Sequence, residues 1–273
     1  MKKKLLNILF FNFCITALSI AQTRYVSPAG NDIANNCLLP GNPCATITNA
    51  VTQSIAGDTI KLSSGAYAFS TTQVINKSVV VIAADSLNKP VISSTASDMI
   101  TVTSNNVTIK QLRLEMGLTS ANGLKGIVAN NTYNNLKIIK NEIISIKPFA
   151  SGMVFDSYGI HATGGTGQVI FLDGNIIQPL DITKDSHGRG LRIGTNALIG
   201  PGGTITNNMI AAYYAIQSSL NSADLSIVDN MFYGEVSIGY PKNGTHIDVL
   251  NNSFDGYNYQ IASGLESLLE LMA

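Results

Sequence analysis

The sequence has little charge and few aromatic side chains. Only 12% of its 273 residues are charged, 17 basic residues balance 17 acidic ones, aromatic residues make up 7%, and tryptophan is absent. The balanced charge excludes the basic footprint of a nucleic-acid-binding protein and an acidic tail. With 45% hydrophobic residues and 24 glycines, the chain is too apolar for a disordered protein and fits a β-rich fold with many turns.

The first 21 residues have the three parts of a secretory signal peptide. Lys2 to Lys4 form a basic start, Leu5 to Ile20 is an apolar stretch, and Ser19-Ile20-Ala21 is a small-x-small cleavage site. Asn7 and Asn12 interrupt the apolar stretch, which disfavours a retained membrane anchor. We therefore predict a secreted protein, whether extracellular, at the cell surface or periplasmic, without a membrane span after cleavage.

Cysteine is scarce. Cys14 lies in the signal peptide, so only Cys37 and Cys44 remain, on either side of a short loop that contains proline and glycine. Exported proteins keep such pairs as disulfides. Zinc is the alternative, but all three histidines of the chain lie far from this loop in sequence. We predict a structural disulfide.

Most of the chain repeats a pattern of alternating apolar residues that ends in asparagine. The repeated asparagines, 34, 33, 22 and 22 residues apart, are Asn141, Asn175, Asn208, Asn230 and Asn252, and an earlier copy has Leu112 at this position. A second pattern runs in step, a short strand centred on Ile127, Ile160, Ile193, Ile216, Ile238 and Ile261, often beside glycine. Strands and turns with a period near 22 indicate a solenoid.

Stacked coils of this kind bury a continuous column of Ile, Leu and Val at the strand spacing of about 4.8 Å. A side-chain amide both donates and accepts, so the repeated asparagines are expected to form a structural hydrogen-bonded ladder. Before the repeats, residues 45–56 place Ile47, Ala50, Val51 and Ile55 on one helical face.

The repeats resemble those of the pectate-lyase-like (pectin lyase fold) superfamily, and the resemblance covers nearly all of the mature chain. Tyr25 to Asp32, the cysteine loop, residues 45–56 and Gly57 to Tyr67 also look like the opening of many secreted β-helix proteins. The resemblance implies an all-β, right-handed parallel β-helix solenoid with an N-terminal capping helix. We divide the chain into a signal peptide (1–21), an N-terminal segment with the disulfide loop and capping helix (22–62), β-helix coils (63–264) and a short C-terminal tail or cap (265–273).

Three early coils are longer than the others between the asparagine position and the next isoleucine strand. The extra residues lie within 117–125, 145–157 and 178–189, which stack at one corner of the solenoid. Loops on a rigid scaffold concentrate binding and catalysis. The resemblance implies that this corner and the strand after it form a polysaccharide groove.

Period-2 alternation predicts which side chains line that groove. With the isoleucines inward, two rows point outward: Gly126, Gly159, Arg192, Ala215, Ser237, Gln260, and Val128, His161, Gly194, Gln217, Gly239, Ala262. In this arrangement His161 and Arg192 lie diagonally on adjacent coils. Arginine can hold a uronate carboxylate, and histidine can move a proton. The candidate catalytic residues are Arg192, His161, His187 and Arg189, and the candidate substrate-binding residues are Lys147, Asp156, Lys184, Asp185 and Gln217.

The chemistry that these residues perform is left open by the motifs. Residues 186–194 look like segments of polygalacturonases, without the acid pair of those enzymes, and residues 156–161 are similar to an alginate-epimerase motif without its Asp-Pro. The outward rows hold no acid, whereas calcium takes about six to eight oxygens, so no cofactor is assigned and calcium stays open.

We predict a monomer that binds an extracellular acidic polysaccharide and does not bind nucleic acid. Lyase-type β-elimination is one option, which leaves open whether the protein is an enzyme. The alternative is a non-catalytic adhesin or surface structural β-helix protein, because one fold of this kind serves many functions.

Overall fold

The computed structural model describes residues 20–117, 124–129, 134–145, 157–163, 169–178, 188–193, 202–218, 224–238, 246–255, 259–261 and 268–272. The predicted signal peptide lies almost wholly outside these ranges. The described chain has one helix, α1 (Ile47–Gln53). Its strands are β1 (Thr23–Val26), β2 (Thr59–Leu62), β3 (Ala66–Phe69), β4 (Gln73–Ile75), β5 (Val80–Ala83), β6 (Val91–Ser94), β7 (Asp98–Val102), β8 (Thr108–Lys110), β9 (Arg113–Met116), β10 (Lys125–Ala129), β11 (Leu136–Ile139), β12 (Glu142–Ser145), β13 (Ser157–Ala162), β14 (Val169–Asp173), β15 (Ile176–Gln178), β16 (Gly188–Ile193), β17 (Gly202–Thr206), β18 (Met209–Ser218), β19 (Leu225–Val228), β20 (Met231–Ile238), β21 (His246–Leu250), β22 (Ser253–Asp255), β23 (Tyr259–Ile261) and β24 (Leu268–Met272).

The strands stack in parallel on three faces of a solenoid. Face 1 is the sheet β1-β2-β5-β8-β11-β14-β17-β19-β21-β24. Face 2 contains β3, β6, β9, β12, β15, the first halves of β18 and β20, and β22. Face 3 contains β4, β7, β10, β13, β16, the second halves of β18 and β20, and β23. The prediction of a parallel β-helix is confirmed.

Matching residues of successive coils stack into buried columns. On face 1 one column runs, by strand register, through Ile60, Val81, Ile109, Ile138, Leu172, Ile205, Ile227 and Val249. Each of these residues is at most 3% exposed, and burying one such side chain contributes about 1.5–3 kcal/mol. Because a one-residue slip would turn the column toward solvent, the burial fixes the register of the sheet.

The corner between faces 1 and 2 holds the asparagines. Asn175 Oδ1 accepts hydrogen bonds from the backbone N–H (2.9 Å) and Nδ2 (3.2 Å) of Asn141, and Asn175 Nδ2 donates to the carbonyl of Ile138 (2.8 Å). Equivalent bonds link Asn175 to Asn208, Asn208 to Asn230 and Asn230 to Asn252. These side chains therefore form one continuous ladder along the corner.

A left-handed residue precedes each ladder position and makes the sharp turn. The residues with φ between 51° and 63° at this place are Gln111, Lys140, Gly174, Asn207, Asp229 and Asn251. Such a φ is costly for most L-residues, and the bonds of the ladder residue that follows stabilise it. Leu112 ends the ladder: it contributes only its backbone N–H, which donates to Asn141 Oδ1 at 3.0 Å.

The N-terminal end is closed by α1 and by the disulfide loop. Thr46 caps α1 by accepting the N–H of Asn49 (3.1 Å), and the helix packs against β1, β2 and β4. The predicted apolar face is buried at three of its positions; Ile55 is 36% exposed because extended Ser54 ends the helix before it. Cys37 and Cys44 form the predicted disulfide, with Cα atoms 5.1 Å apart.

No helix in the part of the chain that the structure describes is both long enough and apolar enough to cross a membrane.

Candidate functional site

The corner between faces 2 and 3 differs from coil to coil. In the two later coils one strand crosses it without a break, as β18 over 10 residues and β20 over 8. In three earlier coils the strand pairs β9 and β10, β12 and β13, and β15 and β16 are separate. Between these strands, three segments fall outside the described ranges: 118–123, 146–156 and 179–187. Each segment lies within one of the predicted insertions.

Five neighbouring strands of face 3 depart from inside–outside alternation at the same place, which we call the bulge. Instead of alternating, each strand buries at least two residues in succession: Met99–Ile100, Gly126–Ile127, Gly159–Ile160, Gly190–Leu191 and Ala215–Ile216. Val128 in β10 and Tyr158 in β13, which flank two of these pairs, are buried as well, at 0% and 8% exposure. The residues before and after each pair then share the outer side, although they lie three positions apart. Bulges re-aim side chains in this way, frequently next to active sites.

In β10, β13 and β16 the first residue of the buried pair is glycine, because a side chain there would overlap neighbouring strands. A Cβ built on Gly126 would lie 2.9 Å from Cγ2 of Ile143 and 2.6 Å from the carbonyl oxygen of Gly159. One on Gly159 would overlap Ile177 in the same way. The prediction that Gly126 and Gly159 point outward is therefore wrong, as it is for Ala215, which is fully buried.

The register of face 3 also differs from the predicted one by two residues in several coils. Ile160 pairs with Leu191, and Leu191 pairs with Ile216. The predicted partners Ile193, Ile238 and Ile261 are instead in register with one another two positions further along, through Ser218. The physical reason is that Leu191 and Val236 fill the inward positions as well as isoleucine does.

Two outward rows result, and neither matches the prediction completely. Row A is Asp98, Lys125, Tyr158, Arg189, Tyr214 and Glu235. Row B is Thr101, Val128, His161, Arg192, Gln217, Ser237 and Gln260. The expectation that the outward rows hold no acid is wrong for row A, whose two ends are Asp98 and Glu235.

Arg189 is held between two tyrosines in row A. Its Nη1 donates a hydrogen bond to the Tyr158 hydroxyl at 2.5 Å. Its guanidinium carbon lies 5.3 Å from the centre of the Tyr158 ring and 5.5 Å from that of Tyr214, distances at which the ring faces attract a cation. At the end of the row, Lys125 Nζ pairs with Asp98 Oδ1 at 3.0 Å.

His161 and Arg192 occupy the same row of adjacent strands, directly beside each other rather than diagonally. Arg192 Nη1 donates to Gln217 Oε1 at 2.6 Å, so three predicted site residues meet in row B. The imidazole also packs against Tyr158, with ring centres 4.6 Å apart.

The surroundings of His161 keep its imidazole neutral. Burial, followed by the positive charges of Lys125 and Arg192, lowers the pKa of His161 from 6.5 to about 4, although Asp98 acts in the opposite direction. At neutral pH the side chain is therefore an uncharged proton acceptor beside cations.

The other predicted site residues, His187, Lys147, Asp156, Lys184 and Asp185, lie outside the described residues, and their roles stay predictions. Sequence reasoning missed Tyr158, Lys125 and Asp98. The signal that could have found them is their shared place one residue before each bulge pair, where Gly126 and Gly159 mark two coils.

Among the described residues there is no group of three or more His, Cys, Asp or Glu side chains able to hold a metal. Of the two row A acids, Asp98 already pairs with Lys125, and Glu235 lies at the opposite end of the row.

No protein-family model and no curated protein matches the sequence. Among solved structures, AlyGC, an alginate lyase of the PL6 family, superposes with a TM-score of 0.57 at 12% identity over 92% of this chain and 39% of that chain. The chain has a parallel β-helix fold like that of this alginate lyase. Pectate lyase Pel9A matches with a TM-score of 0.45 at 16% identity, over 92% of this chain and 81% of that chain. A rhamnogalacturonan lyase matches with a TM-score of 0.45 at 14% identity, over 92% of this chain and 87% of that chain. The chain spans about two fifths of the length of the alginate lyase.

Proposed function

We propose that this protein is secreted, binds a uronate-containing polysaccharide along rows A and B of face 3, and cleaves it by β-elimination. The observation that carries the proposal is the placement of Arg189 and Arg192 around a neutral His161 on one partly exposed surface. The structural neighbours named as polysaccharide lyases support it, as does the disulfide, which persists in oxidising compartments.

β-Elimination needs two functions that these side chains can supply. The reaction removes the hydrogen at C5 of a uronate, breaks the bond from C4 to the glycosidic oxygen and forms a C4=C5 double bond. A cation must hold the carboxylate, whose charge otherwise opposes removal of the C5 proton. The planar fork of Arg192 suits a carboxylate, and His161 beside it is able to take the proton.

The charges around His161 favour proton transfer after the substrate carboxylate has bound. In the protein alone, Lys125 and Arg192 disfavour a second positive charge on His161. A bound carboxylate brings negative charge beside those cations, which makes the imidazolium more favourable when the proton arrives. Substrate binding therefore strengthens His161 as a base.

The test uses residues 22–273 with mannuronate, glucuronate, guluronate and galacturonate polymers, with and without added calcium. Binding is measured directly, and turnover by the absorbance of the unsaturated product and by reducing ends. Arg192→Ala removes charge-assisted hydrogen bonds worth about 1.5–3 kcal/mol, so affinity should fall about 10- to 150-fold. Lys61→Ala, which removes an exposed cation from face 1, should leave affinity unchanged.

A non-catalytic adhesin is the second candidate, favoured because no group of three or more His, Cys, Asp or Glu side chains able to hold a metal lies among the described residues. Binding without turnover of any polymer would support it. Equal polymer affinities for Arg192→Ala and Lys61→Ala would contradict face 3 as the binding surface, whether the protein is a lyase or an adhesin.

A further inference from the structure

Arg192 is held by a neutral side chain. Its Nη1 donates a hydrogen bond to Gln217 Oε1 at 2.6 Å, and the two residues are directly opposite each other in the register of β16 and β18. A guanidinium has donors and no acceptor, so the atom of Gln217 that faces it is the amide oxygen. The bond therefore fixes the direction of the guanidinium and leaves its positive charge in place.

Several other cations of the described chain are paired with carboxylates, which cancel their charge. These ion pairs are Arg24–Asp58, Lys89–Glu142, Arg113–Glu115, Arg113–Glu142 and Lys125–Asp98. Row B, by contrast, has no aspartate or glutamate at any of its positions. Within this row, Arg192 thus has an orienting partner and no counter-ion.

We propose that Gln217 is the positioning residue of Arg192 and thereby makes the site select polymers that carry carboxylates over neutral glycans. The assignment rests on the proposed function. Because the amide is neutral, the carboxylate of a bound uronate becomes the counter-ion of Arg192. A charge-assisted hydrogen bond of this kind is about twice as strong as a neutral one, whereas a neutral glycan offers the guanidinium only hydroxyl groups. In this role Gln217 acts through Arg192.

The charge that Gln217 leaves in place also acts on His161. The titratable and charged groups around this imidazole are Tyr158 on its own strand and, on the neighbouring strands, Lys125, Asp98, Arg189 and Arg192. Burial, followed by Lys125 and Arg192, lowers the pKa of His161 to about 4. A carboxylate at position 217 would pair with Arg192, so the pKa of His161 should rise toward its usual 6.5.

The test replaces the amide in two ways. Gln217→Glu keeps the size of the side chain and gives Arg192 a carboxylate partner, whereas Gln217→Met keeps the length without the acceptor. Binding is measured for the four uronate polymers and for the carboxyl-reduced, neutral form of each. In Gln217→Glu the affinity for uronate polymer should fall at least about 10-fold, with loss of the preference for the charged form. In Gln217→Met the affinity should fall about 2- to 10-fold, with the preference retained.

A charge control and a titration separate positioning from a merely structural role. Thr108→Glu adds the same charge at a partly exposed position of face 1, and because salt screens distant charges it should bind as the wild type does. In an NMR titration of the polymer-free protein, the pKa of the His161 imidazole should rise in Gln217→Glu and stay at about 4 in Gln217→Met.

The outcomes that contradict this role differ from those that contradict the proposed function. Wild-type affinity of Gln217→Glu, or loss of the charge preference in Gln217→Met as well, overturns the role of Gln217 and leaves the proposed function standing. An unchanged pKa of His161 in Gln217→Glu does the same. Failure of the wild type to bind any uronate polymer overturns both.

Discussion

Two polar columns run along this solenoid, and they differ in what repeats. At the corner between faces 1 and 2, the ladder presents asparagine in five coils, and Asn141, Asn175, Asn208 and Asn230 are at most 2% exposed. On face 3, row A changes from lysine to tyrosine to arginine to tyrosine in successive coils, and most of its residues are partly exposed.

The difference follows from where each column finds its hydrogen-bond partners. A buried amide has only protein groups as partners, and the ladder amides bond mainly to the coil before and the coil after them, so each coil carries the same residue. An outward row has solvent or a ligand as its partner, so each coil can carry a different side chain. In this solenoid, repetition therefore indicates structure, and departure from repetition on a partly exposed row indicates function.

Breaking the ladder should have the largest effect. Asn175→Ala leaves the backbone N–H and Nδ2 of Asn141 without their shared acceptor and the Ile138 carbonyl without its donor. A buried group left unsatisfied costs about 1–3 kcal/mol, so the free energy of unfolding should fall by about 2–4 kcal/mol in urea denaturation. Asn134→Ala, at an exposed position, is the control. Equal losses in the two variants would contradict a structural role for the ladder.

A substitution at the bulge tests whether backbone geometry underlies the functional rows. In Gly159→Ala the new Cβ would overlap Ile177 and approach the Gly190 carbonyl oxygen at 2.8 Å. Overpacking of this kind costs about 1–3 kcal/mol, and the shift should separate Tyr158 from His161 and weaken polymer binding. Gly41→Ala, whose Cβ meets nothing within 4 Å, should change neither the stability nor the polymer binding. Unaltered stability and binding in Gly159→Ala would show that the bulge is dispensable.

The pH response of His161 tests row B without altering the ladder or the bulge. Its pKa in the folded protein is about 4 against 6.5 ordinarily, so between these values the unfolded chain binds a proton that the folded chain does not. Stability should therefore fall as pH falls from 6.5 to 4, and the loss is complete below the lower value. His161→Gln should lose less stability over the same range in denaturant titrations at pH 7 and pH 4. Parallel losses in variant and wild type would show that other groups dominate.

The fold was predictable because every coil repeats the same pattern of alternating apolar residues and asparagine. Spacing of the asparagines located the ladder, and the longer coils located the corner where the strands separate. Both depend on local rules, period-2 alternation and amide pairing, which hold in every coil.

The candidate site was less predictable because it depends on a departure from alternation. Period-2 reasoning placed Gly126 and Gly159 outward, and only the packing against Ile143 and Ile177 shows why they face the core. Leu191 and Ile193 are both apolar and two positions apart, so the sequence could not decide which of them stacks on Ile160. The contact between Tyr158 and His161 follows from these long-range choices.

The unbroken course of β18 and β20 around the corner between faces 2 and 3 bears on how such chains diversify. Where the strand is continuous, two faces follow each other without a loop; where it is interrupted, the strands on either side keep their places in the same ladders. Segment length at this corner can thus vary by insertion or deletion during evolution while the core stays constant. The same property makes the stretch between Ala211 and Tyr214, where the register already shifts, a suitable place to graft a new loop.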